Sequence, residues 1–428
     1  MKRLTVREAV AAEIRRGHHL YSKNNHFTVQ RLLGEGRFGK VHMCLNMETK
    51  ERLAVKILSP EKGRRQRQRE FKMLKLLKTL NPDQSNILRF IDQFDHRGNT
   101  CQIFELLDKS LFCLIKEQNW RPLSLNEIRP IAQQLFVALD SLKGLGVIHT
   151  DIKLDNIMLV NSRKQPLRVK LIDFGEAVKR SEVQSGMIMQ ACGYRAPEVS
   201  LGLPISEAID VWSVGCVLTN IYLIQDLFAT CCTFQMMKDI VSVVGQPEEG
   251  LLSAGAYTRS YFKKVQFAAS AKWRLMTPDQ YRAANGIEVI PQDKRTKRFK
   301  SLDGLVHVYP EYSSAEFHDR RAFVNLLKRL LHVDATKRLC PRKALQHPFV
   351  STVHLTEMPK FKAYLTAARA MMGVCWTDGP TPLLENDVVA VEAPAPEVLV
   401  TPEAPPAPTS TRSFKGRIKR TICPFVRR

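Results

Sequence analysis

The sequence predicts an α+β fold in two lobes: a small N-terminal lobe of strands around one key helix, and a larger, mainly helical C-terminal lobe. Three observations carry this. Short strand-like runs and a single long helical pattern fill the first hundred or so residues, apolar residues recur at helical spacing from Ile128 onward, and a polar motif, His149-Thr150-Asp151-Ile152-Lys153-Leu154-Asp155-Asn156, stands ahead of Asp173-Phe174-Gly175.

Leu4, Val6, Val10 and Ile14 predict a short amphipathic helix before Gly17, within a flanking segment over residues 1–26. Phe27 to Leu33, Val41 to Leu45 and Leu53 to Leu58 are strand-like, and a helix is expected from about Pro60 to Leu80, with Ser59 as its cap and Pro60 in its first turn. In that helix Glu70, Met73, Leu74 and Leu77 share one face, so Glu70 is a carboxylate on an apolar surface and requires a cation. Lys56, on the preceding strand, is the candidate.

Leu135, Val137, Ala138 and Leu142, and later Trp212, Val214, Val217, Leu218 and Ile221, supply the buried helical faces of the second lobe. The pattern places one folded unit over 27–350, divided between 107 and 108. Lys272 to Tyr309 read as an irregular insert with a basic cluster at Lys294, Arg295, Lys297, Arg298 and Lys300. Residues 351–428 are expected to hold a helix, a proline-rich tether from Pro394 to Pro408 and a basic tail.

Leu33-Gly34-Glu35-Gly36-Arg37-Phe38-Gly39-Lys40-Val41 is a glycine-rich turn between two strands, whose backbone amides can approach phosphate closely. Joining strands rather than opening a helix, it disfavours the dinucleotide-binding reading. Lys56, in Ala54-Val55-Lys56, is placed to meet the phosphates while paired with Glu70. Asp151 is the candidate acceptor of a hydroxyl proton, Lys153 the partner of a transferring phosphate, and Asn156 and Asp173 the ligands of Mg²⁺. Together they point to phosphoryl transfer. Glu198, in Ala196-Pro197-Glu198, is a buried carboxylate for which Arg338 is the expected cation.

The 428 residues carry a formal charge of +23, which favours anionic partners or serves a solvated surface. Ten scattered cysteines without a CxxC pair suit reduced thiols rather than zinc or a disulfide framework. Neither a signal-peptide core nor a membrane-spanning run is evident, so an intracellular, non-transmembrane protein is expected. Lys62, Arg64, Arg65, Arg67 and Arg69 crowd the start of the first long helix, for an anionic partner, an import receptor or solvent alone. In the tail, Phe414, Ile418, Ile422 and Phe425 fall at helical spacing among cations, as in a surface-binding helix, although Gly416 and Pro424 oppose one. A disordered basic tail for nuclear import, or for anionic surfaces, is the simpler expectation. No DNA-reading motif accompanies the charge, so sequence-specific nucleic-acid binding is not expected.

In order along about three-quarters of the chain, these motifs resemble the eukaryotic protein kinases. Cys101-Gln102-Ile103-Phe104-Glu105-Leu106-Leu107, Ile128-Arg129-Pro130-Ile131, Asn156-Ile157-Met158-Leu159-Val160 and Leu252-Ser253-Ala254-Gly255 are similar to the homeodomain-interacting protein kinases. The resemblance implies a bilobal protein kinase fold, ATP and Mg²⁺, Ser/Thr specificity, transcription factors and co-regulators among protein partners, and a nuclear or cytoplasmic location. It implies Phe104 as gatekeeper, the Glu105 and Leu107 backbones as adenine contacts, and Val41, Ala54 and Met158 around the ring. Where those relatives carry a phosphorylated activation-segment tyrosine, this chain has Ile188; Ala191 replaces a small hydroxyl residue, Cys192 an arginine, and Thr150 the arginine beside the catalytic aspartate. The expectation is a Ser/Thr kinase independent of activation-loop phosphorylation; the alternative is a weakly active or inactive kinase-fold scaffold binding transcriptional regulators.

Overall fold

The computed structural model describes residues 14–375 except 37–38, 59–62, 267–269, 291–298, 311–312 and 357. Strands β1 (His19–Tyr21), β2 (His26–Gly36), β3 (Gly39–Asn46), β4 (Arg52–Leu58), β5 (Phe90–His96) and β6 (Asn99–Glu105) form an antiparallel sheet in the order β1-β2-β3-β4-β6-β5. Alternation along these strands gives the sheet two faces. Leu20, Phe27, Val29, Cys44, Leu53, Val55, Ile57, Cys101 and Ile103 form a core on one. Val41 lies opposite Lys56 and Ala54 opposite Phe104, so these four share the other face, toward the second lobe. The sheet begins ahead of Phe27, because Leu20 pairs with Phe27 and is fully buried.

Helix α1 (Arg64–Leu77) packs beside the sheet with Glu70, Met73, Leu74 and Leu77 buried. It starts later than expected: Gly63 is its N-cap, without a side-chain hydrogen bond, and no acid occupies its first turn. Ser59, Pro60 and Lys62 lie outside the described residues.

The second lobe begins with α2 (Leu111–Glu117), capped by Ser110, and α3 (Leu125–Gly144), where Ser124 and Glu127 form a reciprocal capping box. Short strands β7 (Val147–Ile148), β8 (Ile157–Asn161), β9 (Gln165–Leu171) and β10 (Val178–Lys179) carry the polar motifs. Helices α4 (Pro197–Leu201), α5 (Ala208–Leu223), α6 (Thr233–Val243) and α7 (Glu249–Ala254) come next. Every α5 residue from Ile209 to Tyr222 is buried, the polar Asp210, Ser213, Thr219 and Asn220 included. Of the expected core positions in α3, Val137 is only partly buried.

The insert is more regular than its sequence suggests. Strands β11 (Phe262–Gln266) and β12 (Ala271–Leu275) form a hairpin, and α8 (Pro278–Asn285) succeeds it with a Thr277 capping box. Lys294, Arg295, Lys297 and Arg298 lie outside the described residues. Helices α9 (Ser314–Leu330), α10 (Pro341–Leu345), α11 (Pro348–Ser351) and α12 (Lys362–Met372) close the lobe. Packing continues past residue 350, since Leu355, Phe361 and Ala368 are buried. The proline-rich tether, the basic tail and the Leu4, Val6 and Val10 positions of the expected N-terminal helix fall outside the described residues, and Ile14, the last position of that helix, is not helical. Among the described residues no helix is long and apolar enough to cross a membrane.

Candidate active site

Lys56 reaches from β4 toward α1 and the second lobe at once. Its Nζ lies 3.1 Å from Glu70 Oε1 and 3.0 Å from Asp173 Oδ1. Burial alone would push this ammonium down, but Asp173 and Glu70 outweigh it and hold Lys56 above the usual lysine range. A buried lysine between two carboxylates stays cationic, with the glycine-rich turn beginning on the neighbouring strand. Gly34 and Gly36 end β2, Gly39 begins β3, and Gly36 pairs with Gly39. At φ +142 a Cβ on Gly39 would lie 2.0 Å from the Ile57 carbonyl oxygen, so only glycine fits. Leu33 and Glu35 lie on β2, and Lys40, 3.5 Å from Glu35, on β3; Arg37 and Phe38 lie outside the described residues.

Asp151 is held by side chains of the same loop. Lys153 Nζ and Asn156 Nδ2 both donate to its Oδ2, at 2.7 and 2.8 Å, and Asn156 Nδ2 also donates to its carbonyl at 2.7 Å. Among the described residues no donor reaches Asp151 Oδ1, which leaves that oxygen available as an acceptor. The Asn156 amide is spent as donor on Asp151, so its carbonyl oxygen is the atom left for a cation. The Ile172 amide donates to the Asn156 backbone carbonyl at 2.9 Å, fixing the loop of Asp173 against that of Asn156.

Beneath these loops lies Asp210, on α5. Its carboxylate accepts the His149 amide at 2.6 Å and the Thr150 amide at 3.0 Å, and burial raises its pKa despite these donors and the nearby His149. The Thr150 hydroxyl donates to the Glu176 carbonyl at 2.9 Å, joining the two polar motifs without any phosphate. Glu198 and Arg338 form the expected buried pair, at 2.6 and 2.9 Å.

Phe104 packs against Phe90 at the end of β6, Leu107 is buried just beyond, and Met158 lies on β8 opposite Lys170. Glu105 is pinned by its side chain: Lys170 Nζ donates to both its oxygens, at 2.8 and 2.9 Å, and the Arg89 amide donates to one at 2.6 Å. The motifs read from sequence do not include Lys170, although a buried strand bearing two cations, Arg168 and Lys170, is a signal that both have partners. Gln190 gives no such signal. Buried at φ 67, it donates to the Ile209 carbonyl and the Ser213 hydroxyl and accepts the Ala196 amide, holding the segment in which Ala191 and Cys192 sit. Cys192 turns inward, its thiol 3.4 Å from the Ala229 carbonyl, whereas Ile188 is 57% exposed.

The donor set fits a magnesium nucleotide. Among the described residues no cluster of three His, Cys, Asp or Glu could hold a metal by itself. One carboxylate, Asp173, and one amide oxygen, Asn156, match a Mg²⁺ that completes its shell with phosphate oxygens and water.

The protein kinase domain model matches residues 27–350. Homeodomain-interacting protein kinase 2 of Mus musculus is 39% identical over 363 residues, covering 83% of this chain and 30% of that protein. The corresponding kinase 1 of Caenorhabditis elegans is 34% identical over 400 residues, 90% of this chain and 46% of the relative, and kinase 4 of Homo sapiens 35% over 351 residues, 78% and 57%. This chain thus spans less than a third of the length of the mouse relative.

Proposed function

We propose that this chain, which belongs to the protein kinase family, transfers the γ-phosphate of ATP to Ser or Thr hydroxyls of protein substrates. One observation carries the reading. Lys56, Glu70 and Asp173 meet at a single ammonium, while Asp151, Lys153 and Asn156 meet at a single carboxylate oxygen, and the Ile172 to Asn156 hydrogen bond joins the two groups. Lys56, positioned by Glu70, holds phosphate oxygens under the glycine turn. Asp151 Oδ1 accepts the substrate proton, and Lys153 offsets charge on the group in transfer. Asn156 and Asp173 would hold Mg²⁺, which when bound neutralises charge on the phosphates. The adenine would rest between Val41, Ala54 and Met158, against the backbones of Glu105 and Leu107 and the Phe104 side chain.

Asp151→Asn removes the proton acceptor while keeping shape and should abolish phosphate transfer to protein; equal signal from both chains would instead favour the scaffold reading that Ile188, Ala191 and Cys192 raise. Turnover needs no phosphate on the activation segment, because the Thr150 to Glu176 bond already ties that segment to the Asp151 loop and Ile188 cannot be phosphorylated. Treatment of the purified protein with phosphatase should leave its rate unchanged, and loss of turnover would refute this. The relatives' printed name, homeodomain-interacting, supports transcription factors and co-regulators as substrates and a nuclear site of action, with the basic tail as import signal. A reporter carrying residues 410–428 that stayed diffuse would count against that role.

A further inference from the structure

The hairpin of β11 and β12 carries a cost that the phosphoryl-transfer site does not explain. From Gly250 to Pro278 the chain holds Arg259, Lys263, Lys264, Lys272 and Arg274 and no carboxylate. Phe262 and Trp273 point into a small core with Leu201, Phe234 and Tyr281, and Lys264 lies over the Trp273 ring at 5.2 Å. The opposite face pairs Lys263 directly with Arg274, and Val265 with Lys272. Like charges directly across a ladder repel. Among the described residues none of these three cations makes an ion pair, and Lys272 and Arg274 are exposed.

We propose that this face docks an extended, acidic segment of a protein substrate. The spacing suits it: Lys272 and Arg274, two residues apart on one strand, stand about 7 Å from each other, the interval of alternate carboxylates on an extended peptide. Val265 completes the face with an apolar contact for an intervening side chain. A nucleic-acid backbone matches less well, since three cations fall short of the roughly 6–10 phosphate contacts of a strong binder and Val265 offers phosphate nothing. The hairpin is also rooted beside the activation segment. Tyr257 donates its hydroxyl to the Gly186 carbonyl in the activation segment, and the Tyr257 amide donates to Leu201, which shares the hairpin's core. Only the word substrate rests on the proposed function; the docking is a binding property of the folded chain.

The test is binding of a labelled peptide alternating glutamate and alanine to the full chain, near physiological ionic strength, by fluorescence anisotropy. The variant combining Lys263→Glu, Lys272→Glu and Arg274→Glu should bind at least about tenfold more weakly. The variant combining Arg64→Glu, Arg65→Glu and Lys72→Glu on α1, which changes net charge equally, should bind like the native chain. Both should keep native thermal unfolding. Equal loss in the two variants, or no binding by the native chain, overturns the proposal. So does a single-stranded oligonucleotide that binds natively and is lost with the hairpin charges while the peptide is not. If the peptide binds as expected but Asp151→Asn transfers phosphate as well as the native chain, the docking face stands and the kinase reading falls.

Discussion

Thr150 has φ 68, in a region that β-branched residues rarely enter. Three bonds over-determine it: the His149 and Thr150 amides on Asp210, and the Thr150 hydroxyl on Glu176. Thr150→Val keeps the shape and removes only the hydroxyl, leaving the Glu176 carbonyl without that donor. The loss should weaken positioning by about 1 kcal/mol, read as a several-fold fall in kcat with little change in KM for ATP. An unchanged kcat would show that the bond carries no positioning. At this scale the polar motifs are legible in the sequence because Asp151, Lys153 and Asn156 act within six residues of one another, where spacing constrains geometry. Gln190, outside any helix, acts through Ser213 and Ile209 on α5, and nothing in its own neighbourhood announces that.

Helix α11 is capped by an imidazole. The Phe349 amide donates to His347 Nδ1 at 3.2 Å, so the ring's other nitrogen, 2.9 Å from Asn325 Oδ1, carries the proton. Protonating Nδ1 would turn the cap acceptor into a donor facing an amide. Burial, helped by Arg329 and His354, pushes His347 down to about 4 from 6.5. Between about 6.5 and about 4 the unfolded chain therefore binds a proton that the folded chain refuses, and stability falls as pH drops through that window. The full loss from this group is on the order of 3 kcal/mol. His347→Asn keeps a cap acceptor without titrating, so denaturant melts at pH 7 and 5 should differ less than for the native chain. Equal pH dependence would place the titration elsewhere. Elements as a class are legible where period and caps agree, as in α3. The onset of α1 is not, because Ser59-Pro60 satisfies the local start rules while Gly63 is the observed cap. Nor is β12, whose Trp273 and Leu275 alternate with cations but whose partner strand precedes the region read as irregular.

The two-lobed plan arises from one contrast readable along the chain, period-two strands giving way to period-3.6 helices, whereas the last turn of the fold depends on residues remote in sequence. Asp319 on α9 is fully buried against Arg129 of α3, and it also accepts from His354 Nε2 at 3.0 Å and the Tyr364 hydroxyl at 2.8 Å. Burial would raise this carboxyl, but His354 and Arg129 hold it below its usual range. Arg168 extends the same fastening, donating to the Val374 carbonyl at 3.1 Å. The segment after α11 is thus part of the folded body, although the kinase-domain match ends at residue 350. A chain ending at Thr352 loses burial of Leu355 and Phe361, each about 1.5–3 kcal/mol, and two donors to Asp319. Its thermal midpoint should fall by roughly 5–10 °C. Asp319→Asn in the long chain leaves the Arg129 charge buried without its counter-ion, at about 3–5 kcal/mol. If the C-terminal segment acts through Asp319, truncation and Asp319→Asn combined should destabilise by less than the sum of the two, because the second change removes contacts the first has already broken. Strict additivity would mean that α12 is held by its apolar face alone and that the Asp319 network serves only α3 and α9.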